Sequence, residues 1–437
     1  MNKGKVLVIT YYWPPSGGAG VQRALKFVKY FVRTGVEPVV LTVAPDKASY
    51  PVLDDSLFQD VPKGVKVITT SSFEPLRLLS GLSGGKHVPY GGFANANKSS
   101  LTQRMLRWIR GNVFIPDARV GWVPFAVRAA ADIIRSEGIT AVIISSPPHS
   151  SQLIGLKLKR RFPSLRWIAD MRDPWTDIYY YKDLMHSAAS AKRDTRLERQ
   201  VLEQADEIVV VSEAIRRLFV RKLSGTDSGK VHVIPNGYDE EDFKEHIPSD
   251  PDRFTITYVG TMAEMYRPAV FFDALQQVVQ AVSPAQIRFR FVGSAPWTLK
   301  KSIEDSPLAP FCEWYGHVPH GEAICYMQRA TALLLVIPDA EGAEGILTGK
   351  LFEYLGAGRL IIGIGPPGGD AAAIIGGCHA GRMFGREEGE ALRDWLISKV
   401  EDWKQGKMVY EGNENRIQYT RSHLAARVAE LLEITPG

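Results

Sequence analysis

The sequence predicts two doubly wound α/β domains of similar size. Short apolar, β-rich runs alternate with longer helical patterns, the arrangement expected of βαβ units around a parallel sheet. A stretch of turn formers and charges divides those runs into two series. At 437 residues the chain is long enough for each half to bury its own core.

In the first half, strands are expected at Lys5–Thr10, Pro38–Val43, Val65–Thr69, Ala141–Ser145, Trp167–Ala169, Glu207–Val211 and Val231–Ile234. Asn236-Gly237-Tyr238, an acidic stretch and Pro248-Ser249-Asp250-Pro251-Asp252 then read as a linker, which sets the domains at 1–248 and 249–437. The second series is Phe254–Tyr258, Arg288–Phe291, Cys312–Tyr315, Ala332–Val336 and Leu360–Gly363.

Between about 74 and 120 the rhythm breaks. This insertion is rich in Gly, Ser and basic residues, and 76–135 carries nine basic against two acidic side chains. Gln103–Arg110 reads as a basic helix presenting Trp108, a composition suited to anionic headgroups; residues 98–110 are therefore the candidate membrane-surface contact. The plainer reading is a solvated helix in a long insertion.

Charge placement follows the same division. Residues 1–250 hold 35 Lys and Arg against 26 Asp and Glu, whereas 251–437 hold 18 against 22. A whole-chain charge of +5 is too mild to suggest nucleic-acid binding. No apolar run approaches the roughly 18–20 residues of a spanning helix, and the start lacks signal-peptide features, so a cytoplasmic protein is expected. Cys312, Cys325 and Cys378 show no metal-binding or disulfide spacing.

Three motifs could carry chemistry. Ser16-Gly17-Gly18-Ala19-Gly20 sits between a strand and a helical pattern, where backbone and helix terminus can meet an anion. Arg23 stands where a dinucleotide fingerprint needs its third glycine, so a nicotinamide site is not expected; a glycine turn without a ligand remains the alternative. Ser145-Ser146-Pro147-Pro148-His149-Ser150 and Asp170-Met171-Arg172-Asp173-Pro174-Trp175 each follow a strand, the place where open α/β sheets bind ligands. Asp170, Arg172 and Asp173 read equally well as a structural ion network or as an acceptor-side cluster. Third, Thr348-Gly349-Lys350-Leu351-Phe352-Glu353 opens a helix, with Lys350 and Glu353 on neighbouring positions. Lys can counter phosphate charge, and Glu can accept hydrogen bonds from ribose hydroxyls.

These segments, with Val233-Ile234-Pro235-Asn236-Gly237-Tyr238, Tyr258-Val259-Gly260-Thr261-Met262, Phe291-Val292-Gly293-Ser294-Ala295 and Tyr315-Gly316-His317-Val318-Pro319, resemble glycosyltransferase family 4 of the GT-B fold. The His149 and Asp170–Trp175 segments look like a bacterial surface-polysaccharide subgroup. The resemblance implies two Rossmann-like domains facing a cleft, a final helix such as Leu424–Leu432 crossing back onto the N-terminal domain, and a retaining, metal-independent hexosyltransferase reaction. Its donor would be a nucleoside-diphosphate sugar, most often a UDP-sugar. The nucleotide sugar is a co-substrate, and no cofactor is expected. The acceptor would be a glycan or lipid-linked glycan, handled on the inner face of the plasma membrane.

By the same resemblance, Glu353 matches the ribose-binding glutamate, and the backbone of Thr348, Gly349 and Leu351 matches the diphosphate-binding helix start. Gly316, His317 and Val318 match the nucleobase segment; Gly17 and Gly18 match the loop meeting the donor; His149 matches the active-site histidine. Arg267 and Lys350 are the expected diphosphate cations. The family's usual first glutamate is replaced by Gly345, with Glu341 and Glu344 out of register. Asp250-Pro251-Asp252 has D-x-D spacing but falls in the linker, where terminating structure is its expected role. Two other classes compete: a nucleotide-sugar epimerase, and a non-catalytic GT-B subunit that binds sugar or a partner.

Overall fold

The computed structural model describes residues 4–74, 101–223, 228–266, 268–282, 286–407, 409–410 and 412–433. It divides into two compact units, Met1–Pro235 with Leu424–Gly437, and Asn236–His423.

The first unit is a seven-stranded parallel sheet in the order β3-β2-β1-β4-β5-β6-β7. Its strands are β1 (Lys5–Ile9), β2 (Glu37–Val43), β3 (Lys66–Thr70), β4 (Ala141–Ser146), β5 (Arg166–Met171), β6 (Glu207–Val210) and β7 (Val231–Val233). Every residue of β4 is buried. That is the expected state of a central strand covered by helices on both faces, and it explains why Ala141–Ile144 read as a continuous apolar run. Helix Arg421–Leu431 sends Leu424, Ala425 and Val428 into this unit's core. Arg166 ties it down by donating from Nε to the Leu431 carbonyl at 2.7 Å, and Arg427 donates to the Val233 carbonyl at 3.0 Å.

The second unit has six parallel strands ordered β10-β9-β8-β11-β12-β13. They are β8 (Phe254–Thr261), β9 (Ile287–Ser294), β10 (Cys312–Tyr315), β11 (Ala332–Val336), β12 (Leu360–Ile364) and β13 (Gly381–Phe384). Two cores form on the two faces. Ala332, Leu334 and Val336 belong to one, and Leu333, Leu335 and Ile337 to the other, as the two-residue period of a strand requires. Tyr238 joins the second of these cores; its N–H donates to the Tyr419 carbonyl at 3.0 Å. β13 has no counterpart in the sequence reading. It is a four-residue edge strand that begins at a glycine with φ 151° and carries an arginine, so no apolar run marks it.

In each sheet the strand order reverses once, beside β1 and β4 in the first unit and beside β8 and β11 in the second. Chain leaving the carboxyl ends of such strands diverges and opens a crevice, the usual ligand position in open α/β sheets. Gly18 and His149 follow β1 and β4; Thr261 ends β8 and Thr348 follows β11.

One buried ion pair holds the first of these crevices. Arg23, on helix Ala19–Arg33, donates from Nε to Asp170 Oδ1 at 2.9 Å and Oδ2 at 3.1 Å. Its two terminal nitrogens donate to the Pro235 and Ile234 carbonyls, both at 2.8 Å. Ser145 Oγ donates to Asp170 Oδ2 at 2.8 Å. Both charged side chains are 1% exposed. Arg23 therefore takes the third-glycine position for a structural reason: it clamps the end of β5 to the segment where the chain leaves this unit. Asp170→Ala would leave an uncompensated buried guanidinium, and should lower unfolding free energy by about 3–5 kcal/mol. Urea denaturation measures this; a loss under about 1 kcal/mol would contradict the central role of the pair.

Candidate functional site

Two clusters contain most of the residues that the motifs single out. The first lies at the carboxyl ends of β1, β4 and β5. His149 opens a single 3-10 turn, His149–Ser151. Asp117 fixes that turn by accepting from the Ser150 amide at 2.7 Å and from Ser150 Oγ at 2.8 Å. The imidazole stacks on Trp175, with ring centres 5.1 Å apart and planes 13° from parallel. Trp175 is itself anchored, its Nε1 donating to Asp194 Oδ1 at 2.8 Å while Tyr181 OH donates to Oδ2 at 2.9 Å. Burial raises the Asp194 carboxyl to about 6 against the pull of these two donors.

Burial pushes the His149 pKa below its ordinary value, against Asp173, Asp117 and Glu198. The ring is therefore neutral at pH 7, and its Nδ1 is buried without a hydrogen-bond partner. A neutral imidazole in a fixed plane can meet a hydroxyl without adding charge. Arg172 is committed nearby, donating from Nε to the Ser146 carbonyl at 3.0 Å and from Nη2 to the Pro147 carbonyl at 3.2 Å. Asp170 is occupied by Arg23 and Ser145. Of the three residues Asp170, Arg172 and Asp173, two thus brace the backbone beneath His149, while Asp173 contributes charge beside it.

The glycine loop belongs to the same end of the sheet. Gly18 is exposed at φ 85°, a left-handed conformation that glycine adopts freely, and caps helix Ala19–Arg33. Gly17 is buried, its amide donating to the Val52 carbonyl at 2.8 Å.

The second cluster lies at the carboxyl ends of β8 and β11. Thr348 precedes helix Gly349–Ala357, and its Oγ1 is buried without a partner. Lys350 bends back toward β8. Its Nζ donates to Tyr258 OH at 2.7 Å and to the Thr261 carbonyl at 3.0 Å, 4.7 Å above the Tyr258 ring and 5.5 Å from the Tyr266 ring. Gly260 makes room for it: a Cβ there would lie 2.4 Å from Lys350 Cε. Leu351 is buried beneath the helix start, whereas Gly349 is exposed. Glu353, one turn along, is half-buried, and burial raises its carboxyl pKa against the charges of His320, Arg421 and Lys350.

Gly316 and His317 are exposed and Val318 half-buried between β10 and helix His320–Arg329. Arg267 lies outside the described residues, as do 98–100 of the basic insertion. Helix Leu101–Asn112 spans the predicted Gln103–Arg110 helix and leaves Trp108 49% exposed. Among the described residues, no group of three or more His, Cys, Asp or Glu is placed to hold a metal ion, and no helix is long and apolar enough to cross a membrane.

Sequence reasoning missed the supports. Asp117 lies 33 residues from Ser150 and Asp194 19 from Trp175, the groups they hold, and Tyr258 is an ordinary strand aromatic until Lys350 folds over it. Trp175 and Tyr258 were visible only as members of the Asp170–Trp175 and Tyr258–Met262 motifs, without these roles.

Known proteins share this organisation. The family described as glycosyl transferase 4-like domain matches residues 17–237, half of the chain. A Bacillus subtilis protein described as a teichuronic acid biosynthesis glycosyltransferase, TuaH, is 21% identical over 261 residues. That match covers 54% of this chain and 63% of TuaH, so the chain spans less than two thirds of this relative. Sucrose-phosphate synthase from Thermosynechococcus elongatus superposes with a TM-score of 0.64 at 14% identity, covering 98% of each chain. Anabaena HepE, solved with UDP-glucose, gives 0.60 at 13% identity over 98% of this chain and 99% of its own. At such identities the solved structures establish shared architecture, the GT-B fold of two parallel sheets.

Lys350 supplies a measurable signature. Burial lowers its pKa from 10.5 to about 8, so its charge weakens the folded state most below pH 8. Between about 8 and 10.5 only the unfolded chain keeps this proton, and the penalty fades as pH rises. Lys350→Met should therefore raise the melting temperature at pH 7 and have a smaller effect near pH 10. An equal effect at both pH values would show that the ammonium is not desolvated.

Proposed function

The chain belongs to the glycosyl transferase 4-like family, and we propose that it transfers a sugar from a nucleoside-diphosphate donor to an acceptor hydroxyl with retention of configuration. The reading names a UDP-sugar as donor and a glycan or lipid-linked glycan of the cell surface as acceptor. The observation that carries it is the start of helix Gly349–Ala357, where the first-turn amides, a desolvated Lys350 and the Glu353 carboxyl lie together at a strand-order reversal. The relative's description in teichuronic acid biosynthesis and the UDP-glucose bound to HepE support the choice of substrates.

Cleavage of the donor builds negative charge on the diphosphate. Helix amides and Lys350 would meet that charge in place, with no reorganisation and no metal needed. Binding would exchange the desolvation cost of Lys350 for pairing with phosphate, keeping its proton in place. Arg267 takes the same role on the family resemblance. Glu353 would hold the ribose hydroxyls, and Gly316, His317 and Val318 the base. In the first unit His149, neutral and held against Trp175, would hydrogen-bond a sugar hydroxyl, and Gly17 and Gly18 would let the donor approach the backbone. A cytoplasmic enzyme at the inner membrane surface fits helix Leu101–Asn112, where Arg104, Met105 and Trp108 are all exposed.

Two substitutions separate the roles. Glu353→Ala should weaken UDP binding, measured by calorimetry, by about 10-fold or more, the loss of charge-assisted hydrogen bonds. His149→Ala should leave UDP affinity intact and slow sugar transfer by about 100-fold or more. Transfer is read as nucleotide release and glycan product, using a panel of nucleotide sugars and lipid-linked acceptors. Wild-type protein that interconverts sugar nucleotides without an acceptor would instead be an epimerase. Protein that binds UDP but turns over no donor would be a binding subunit.

A further inference from the structure

Helix Ala188–Gln204 presents two acids, one turn apart, to the segment that follows β5. Asp194 and Glu198 are both 1% exposed, and they hold the consecutive residues Trp175 and Thr176. Their charges are treated differently. Glu198 accepts from Thr176 Oγ1 at 2.6 Å and from Lys222 Nζ at 2.6 Å, so a cation answers it. Asp194 accepts from two neutral donors, Trp175 Nε1 at 2.8 Å and Tyr181 OH at 2.9 Å, and forms no ion pair among the described residues.

A buried carboxylate without a cation is costly. The chemistry of its partners accounts for it here. An indole N–H can only donate, and the Tyr181 hydroxyl donates to the same group; a carboxylate accepts both at once, one on each oxygen. Trp175 is thereby fixed in plane as well as in place. The imidazole of His149 lies on that plane, its centre 5.1 Å away and its ring 13° from parallel. His149 Nδ1 makes no hydrogen bond, so the backbone turn and this stack are what aim the ring. Trp175 is 2% exposed, and in a close-packed interior a shift at its Nε1 end is passed to the face that carries His149.

We propose that Asp194 is a positioning residue for sugar transfer: its carboxylate fixes Trp175, and Trp175 fixes the ring plane of His149. The transfer role rests on the reading of His149 given above; the clamp itself does not.

The clamp weakens in acid. Protonation gives Asp194 a hydroxyl that must itself donate, which turns Tyr181 from donor to acceptor and leaves Trp175 with an uncharged partner. Burial raises the Asp194 pKa to about 6 against the Trp175 and Tyr181 hydrogen bonds, and Glu198 on its own helix and Asp117 before the His149 turn add to the rise. Lys222, paired with Glu198, is the neighbouring cation.

The test is steady-state sugar transfer by the full chain, with UDP binding measured by calorimetry. Asp194→Asn should lower kcat about 10-fold, leave the donor KM and UDP affinity unchanged, and flatten the fall in rate below about pH 6. Trp175→Phe keeps an aromatic ring without the N–H and should cause a similar loss, to which added Asp194→Asn contributes little. Tyr181→Phe removes a bond that lowers the Asp194 pKa, so it should move the acid limb to higher pH. These two variants carry the test if Asp194→Asn unfolds. A full Asp194→Asn effect in the Trp175→Phe background, or an acid limb unmoved by both Asp194→Asn and Tyr181→Phe, overturns the proposal. Wild-type protein that transfers no sugar refutes the transfer reading, and the clamp is then read from the His149 Cε1–H resonance, identified by its loss in His149→Gln. Asp194→Asn should shift that resonance at pH 7, because the ring moves in the field of the indole; an unmoved resonance overturns the clamp.

Discussion

The buried pair of Arg23 and Asp170 is the constraint on which the first unit depends. A guanidinium and a carboxylate, both 1% exposed, are tolerable there because all three Arg23 nitrogens and both Asp170 oxygens are hydrogen-bonded. Asp170 closes β5 and receives Ser145 of β4, while Arg23 reaches from the first helix to the carbonyls of Ile234 and Pro235. Three distant parts of the chain are thereby held at the carboxyl end of the sheet. The His149 turn stands on this base, because Ser146, between Ser145 and the two prolines, also bonds the Asp170 carbonyl through its hydroxyl.

The two crevices are built from opposite electrostatic devices. Around His149, burial removes charge from the imidazole, and aromatic stacking with anchored acids sets its plane. Around Lys350, burial leaves a cation with a weakened hold on its proton, steadied by a tyrosine hydroxyl, a carbonyl and two ring faces. The first arrangement suits contact with neutral hydroxyls; the second suits an arriving anion. The acidic balance of 251–437 therefore does not prevent an anion site, since local desolvated donors outweigh distant solvated charge.

Much of the fold was legible because buried parallel strands are apolar on both faces. The runs at 141–145, 332–336 and 360–363 needed no more than that. β13 was not legible, since a short edge strand needs no apolar run and its glycine breaks the pattern. Of the candidate site, the residue types that touch ligands in related motifs were visible: His149, Lys350 and Glu353 follow recognisable turns and helix starts. Asp117 and Asp194 were not, nor was the role of Tyr258 within its motif, because a residue that orients another across the fold leaves no local spacing to read.

Sequence by itself determined the two parallel sheets and the positions of the glycine loop and of the Lys-Glu helix, which follow from local period and short-range order; the family resemblance rested on a set of short motifs in order. Tertiary structure decided the work each side chain does. It turned Arg23 from a broken fingerprint into a clamp, and Asp170 from a candidate ligand into its partner. It also laid Lys350 over Tyr258, where burial resets its proton affinity. Such roles depend on desolvation and on partners up to 212 positions away, and neither is encoded in the neighbouring residues.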